Sequence, residues 1–94
     1  MMQRCFDYID RNQDRFLEEL QQFLRFPSVS GDPGYKEDVK QCALWLTGHL
    51  KKLGLDAHCI STRRHPIVRA ATRGSSAKRV ILYGHYDVQP ADPL

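Results

Sequence analysis

No run in this 94-residue chain approaches the roughly 18 apolar residues that a membrane helix needs, so the sequence does not predict a helical span. Cysteine is scarce. Cys5, Cys42 and Cys59 are an odd number, at spacings that match neither a zinc ribbon nor a disulfide framework, and reduced thiols of an intracellular protein are expected. The start, Met1-Met2-Gln3-Arg4-Cys5-Phe6-Asp7, lacks the unbroken apolar segment and small-residue cleavage site of a signal peptide, which makes the cytoplasm the expected compartment. Internal repeats and low-complexity tracts are missing too. The length excludes a complete two-domain enzyme and allows one domain or part of one.

What is present, 41% hydrophobic and 27% charged residues, fits a globular chain. The net charge of +3 is unevenly spread: Arg63, Arg64, Arg69, Arg73, Lys78 and Arg79 face only Asp87 and Asp92 after residue 61. A basic segment of this kind can bind anionic partners. No aromatic residues interleave with the cations, however, so solvated turns and strand edges are the plainer reading and nucleic acid is not expected.

Between Phe6 and Leu24 the apolar residues Phe6, Ile9, Phe16, Leu17, Leu20, Phe23 and Leu24 share one helical face, which predicts a surface helix. Pro27 disfavours helical geometry at Phe26, and Ser28-Val29-Ser30-Gly31-Asp32-Pro33-Gly34 is dense in turn formers. A second helix follows, carrying Val39, Cys42, Ala43, Leu46, Leu50 and Leu53 at spacings of three and four. Trp45 and His49 lie on its flank, and Gly54 is suited to the left-handed position that ends it. Residues 55–62 and 66–72 then read as two strands joined by Arg63-Arg64-His65-Pro66. A turn over residues 73–78 leads to Val80-Ile81-Leu82-Tyr83, whose continuous apolar run predicts a third strand, covered on both faces. The fold class is thus α/β, two helices followed by three strands. Because nothing after that strand could pair with its second edge, a chain continuing beyond Leu94 is expected.

Chemistry concentrates at the carboxyl end of the expected strand, where ligands bind in open α/β sheets. In Gly84-His85-Tyr86-Asp87 an extended backbone projects His85 and Asp87 to the same side. Imidazole is a common zinc ligand, and a nearby carboxylate can join the metal shell or fix the histidine's tautomer. Alone, His-x-Asp is a weak signal, since a histidine near a strand end is more often merely hydrogen-bonded. The other candidates carry less. His49 sits on a helix flank, and His58 and Cys59 point to opposite faces of a strand. Cys42 belongs to an apolar stripe. Ser28 and Ser30 lack a nucleophile elbow and read as turn residues.

The wider string from Val80 through Val88-Gln89-Pro90-Ala91-Asp92-Pro93-Leu94 resembles the first metal-site motif of the M20 family of metallopeptidases, in the branch of carnosinase-type and other dipeptidases. Leu24-Arg25-Phe26-Pro27-Ser28-Val29-Ser30 is similar to the loop after that family's first helix. Leu53-Gly54-Leu55 is similar to its second helix end, and His65-Pro66-Ile67-Val68 to the start of its second strand. The resemblance implies that residues 1–94 are the N-terminal portion of an α/β catalytic domain holding two zinc ions, or manganese or cobalt. In it His85 would be a metal ligand, and Asp87 a catalytic residue that supports the histidine without binding metal. The implied activity is hydrolysis of a dipeptide or small acylated amino acid by metal-activated water, in a protein whose second domain often makes it a homodimer. The other ligands and the general base would lie beyond Leu94. Catalytic zinc takes about three protein ligands, so residues 1–94 alone are expected to be inactive. A second reading, from a different class, is a noncatalytic α/β module that binds anionic partners through the basic segment.

Overall fold

The structure is a computed structural model, and it describes residues 1–91; the expectations attached to Asp92, Pro93 and Leu94 lie outside the described residues. The helix expected between Phe6 and Leu24 is two helices, α1 (Met2–Arg11) and α2 (Gln13–Leu24), parted at Asn12. The cause is local. Asn12 donates its side-chain amide to the Tyr8 carbonyl at 2.8 Å, and its own backbone leaves helical geometry at φ −117° and ψ 15°. Such side chains compete with the backbone for its hydrogen-bonding groups. Little opposes the break, because residues 10–15 are all polar and the aromatic contact across the junction, Tyr8 against Phe16 with ring centroids 6.0 Å apart, tolerates it. Neither helix contains a buried residue, and Phe6, Ile9, Leu17, Leu20 and Leu24 are exposed among the described residues.

Pro27 ends α2 as expected, and the Asp32 carboxylate accepts from the Gly34 amide at 2.9 Å to start a short 3₁₀ turn, Pro33–Tyr35. Helix α3 (Lys36–Lys52) follows, with Glu37 and Asp38 in its first turn and His49, Lys51 and Lys52 in its last, charges that oppose the helix dipole at each end. It closes on Gly54 at φ 88°. There the Leu55 amide bonds the Leu50 carbonyl and the Gly54 amide bonds that of Lys51, the paired bonds of a Schellman cap.

Strands β1 (Asp56–Ile60) and β2 (Ile67–Ala71) form an antiparallel hairpin in which Cys59 stands opposite Val68. The connecting turn is held by Thr62, whose hydroxyl donates to the His65 carbonyl and accepts from the Arg64 amide. The hairpin packs on α3, and the small core lies between them: Val39, Cys42 and Ala43 of α3, Ala57 of β1, and Val29 and Ser28 of the loop. Cys42 is thus a packing residue. Helix α2 leans on α3 through Phe23, and Phe26 just after it does the same; their rings stand 5.8 and 6.0 Å from that of Trp45, and Trp45 in turn stacks on His49 at 5.2 Å. The Arg63, Arg64, Arg69, Arg73, Lys78 and Arg79 side chains belong to exposed residues.

The third strand is not formed. Residues 80–83 join no ladder, β1 and β2 pair only with each other among the described residues, and Val80 and Tyr83 are 87% and 92% exposed. This corrects the expectation of a buried strand. An apolar run states what environment a segment favours, but burial needs flanking strands and covering layers, and none of the described residues supplies them here. The observed order is three α-helices and a two-stranded sheet.

Candidate active site

After Gly84 the backbone is fastened to the rest of the fold again, and the Ser28 loop is what holds it. Val29 and Val88 form an isolated parallel bridge, with the Val88 amide donating to the Ser28 carbonyl at 3.0 Å. Ser28 is 1% exposed and its hydroxyl donates to the Tyr86 carbonyl at 2.9 Å. That same carbonyl lies 3.9 Å from the Cys42 thiol, a weak donor that burial keeps protonated by pushing its pKa up. At its other end Tyr86 donates its hydroxyl to the Pro66 carbonyl at 2.6 Å, just before β2. Residues 86–88 are therefore fastened to the loop, α3 and the hairpin at once.

This fastening sets the geometry of His85 and Asp87. His85 Nδ1 lies 2.9 Å from Asp87 Oδ1 and 3.2 Å from the Asp87 backbone carbonyl. Both partners are acceptors, so Nδ1 carries the proton, and in the neutral ring the lone pair is on Nε2. Nε2 makes no hydrogen bond to another described residue. Asp87 Oδ2 accepts from the Ser30 hydroxyl at 2.5 Å, and the Ser30 carbonyl accepts from His65 Nε2 at 2.9 Å. By the same logic the lone pair of His65 is on Nδ1, which is buried and unpartnered.

The hydrogen bond from Ser30 is the main reason that the Asp87 carboxyl is held below its ordinary pKa of 3.8; the bond and charge of His85 add to it, while partial burial opposes it. A group whose folded pKa is depressed contributes stability above its unfolded pKa, and that contribution is lost as pH falls through the folded value. A carboxyl-carbon NMR titration is therefore expected to give Asp87 a midpoint below 3.8, and Ser30→Ala is expected to raise it. A midpoint at or above 3.8 in the unsubstituted chain contradicts this geometry.

The pair stands at the rim of an open cleft of about 720 Å³, whose wall includes Val39, Leu46 and Leu50 of α3 and Ile67 of β2. An apolar wall with a few converging polar groups is the usual form of a small-molecule site. As a metal centre it is partial: no group of three or more His, Cys, Asp or Glu side chains converges among the described residues, whereas His85 with a free Nε2 and a carboxylate on Nδ1 fits one ligand of such a centre. His49 and His58 are elsewhere, paired with Glu19 at 3.3 Å and Asp56 at 3.0 Å. Ser28, Ser30, His65 and Tyr86 escaped the sequence reading as site residues. The partners of Ser28 and Ser30 are 58 and 57 residues away, beyond the reach of any local spacing.

Comparison with known proteins adds to this geometry. The chain is 34% identical over 104 residues to the Cys-Gly metallodipeptidase of Candida albicans, covering 96% of this chain and 21% of that protein. Other curated relatives are also named as dipeptidases. The cysteinylglycine-S-conjugate dipeptidase of Corynebacterium striatum is 32% identical over 87 residues, covering 85% of this chain and 18% of the relative. The human Beta-Ala-His dipeptidase is 27% identical over 106 residues, covering 98% and 21%. These likenesses support a dipeptidase family, and the chain spans about a fifth of the length of the curated relatives it matches. No family model matches, and no solved structure does. Among the described residues no helix is long and apolar enough to cross a membrane.

Proposed function

We propose that this chain is the N-terminal part of the catalytic domain of an M20-type metallopeptidase, a cytoplasmic and homodimeric enzyme when whole. Its substrates are dipeptides or small acylated amino acids. The observation that carries the reading is the His85–Asp87 pair at the cleft rim, in a chain whose relatives are named as dipeptidases, some of them metallodipeptidases.

In this reading His85 Nε2 would hold one ion of a zinc pair, or of manganese or cobalt, and ligands from the rest of the protein would complete the centre. The chemistry such ions supply when bound is a lowered pKa of water and a polarised scissile carbonyl. The work of this chain is narrower. Asp87 keeps the proton on His85 Nδ1 and so keeps the Nε2 lone pair available, and the hydrogen bond from Ser30 favours its charged form. The apolar wall from α3 and β2 gives a bound substrate a surface that excludes water on one side.

The test is hydrolysis of a panel of dipeptides and small acylated amino acids, Cys-Gly among them, by the whole protein before and after chelation. Activity is expected to vanish with the metal and to return on adding zinc. Hydrolysis indifferent to chelator, or its complete absence from the metal-loaded protein, overturns the reading.

A further inference from the structure

Ser30 is tied on two sides. Its hydroxyl donates to Asp87 Oδ2, the oxygen that His85 does not use, and its carbonyl accepts from His65 Nε2. The tie at His65 reaches the turn before β2, and the neighbouring bridge between Val29 and Val88 holds the two backbones in register. A carboxylate on a loop can rotate about its terminal torsion and present either oxygen or neither to a partner; that torsion is broad in the absence of a second bond. Here one oxygen is fixed by a hydroxyl whose own backbone is anchored, so the other oxygen has one place to be.

We infer that Ser30 is a positioning residue for the His85–Asp87 pair: by fixing Asp87 Oδ2 it aims Oδ1 at His85 Nδ1 and holds that imidazole in the Nδ1–H tautomer, with the Nε2 lone pair free to bind a metal ion. The value of that tautomer to a metal rests on the function proposed above, but the control of the tautomer by Ser30 does not. His65 acts one step further out, by holding the Ser30 carbonyl. The role differs from a turn role, which the sequence alone would give Ser30, because the hydroxyl acts across 57 residues of chain.

The experiment reads the tautomer directly, by long-range proton–nitrogen NMR of the neutral histidine rings in the full chain without metal, at alkaline pH. His85 is expected to be predominantly Nδ1–H. Ser30→Ala is expected to shift the ratio toward Nε2–H by roughly threefold to tenfold, because the Asp87 carboxylate and backbone carbonyl still accept from Nδ1 and the aim of Oδ1 is loosened, not lost. Ser30→Thr, which keeps the hydroxyl, is expected to restore the original ratio. Amide signals of α3 and the hairpin report whether the fold is kept. Should Ser30→Ala disturb them, the nearly isosteric Ser30→Cys, a weaker donor, is read in its place. An unchanged ratio in a folded Ser30→Ala or Ser30→Cys chain overturns the inference, as does a predominantly Nε2–H ring in the unsubstituted chain. A tautomer that follows Ser30, in a whole protein that binds no metal, supports this inference and overturns the proposed function alone.

Discussion

His85→Ala in the whole protein is expected to lower dipeptide hydrolysis by at least about 100-fold, more than the usual effect of altering a residue behind a ligand, and to reduce bound zinc in parallel. The side chain has little structural work to lose. It is exposed, and both of its hydrogen bonds go to Asp87, two residues away. The core of Val39, Cys42, Ala43 and Ala57 does not include it. Loss of metal and activity with an unchanged melting transition is therefore the signature of a ligand. Wild-type activity and zinc content would remove His85 from the site.

Asp87→Ala is expected to weaken metal binding and hydrolysis by roughly 10- to 100-fold, the cost of removing the group that orients a ligating histidine. The loss should be smaller than that from His85→Ala, because the imidazole remains and still populates the right tautomer part of the time. It should also differ in kind, since high zinc concentration recovers occupancy in Asp87→Ala and not in His85→Ala. Metal titration followed by hydrolysis assays separates the two. Equal losses that zinc does not relieve would make Asp87 a direct ligand, contrary to the role assigned to it.

The parts of this molecule that sequence made legible are those decided by neighbours in the chain. Spacings of three and four placed Val39, Cys42 and Ala43 on the buried face of α3, and Gly54 marked its end because the left-handed position there favours glycine. The hairpin was legible because polar turn residues separate two short strand-like segments. His85 and Asp87 were readable as a pair because two residues of extended chain bring side chains to one side.

What could not be read depends on distant partners or on one side chain's choice. The break at Asn12 came from an amide bonding a carbonyl one turn back, in a segment where the apolar pattern skips a turn. The strand expected over residues 80–83 was a correct reading of hydrophobicity and a wrong reading of structure, because the described residues offer it no flanking strand. Ser28 and Ser30 carried turn chemistry in the sequence, and only the parallel bridge between Val29 and Val88 brought their hydroxyls to Tyr86 and Asp87.

The central claim is that His85 binds metal through Nε2 while Asp87 holds Nδ1. Its most direct test is a crystal structure of the whole protein grown with zinc, with the metal located by anomalous scattering. The account predicts a zinc peak about 2.0–2.1 Å from His85 Nε2, with Asp87 still hydrogen-bonded to Nδ1. Zinc bound elsewhere with His85 unliganded, or ligated through Nδ1, would contradict it.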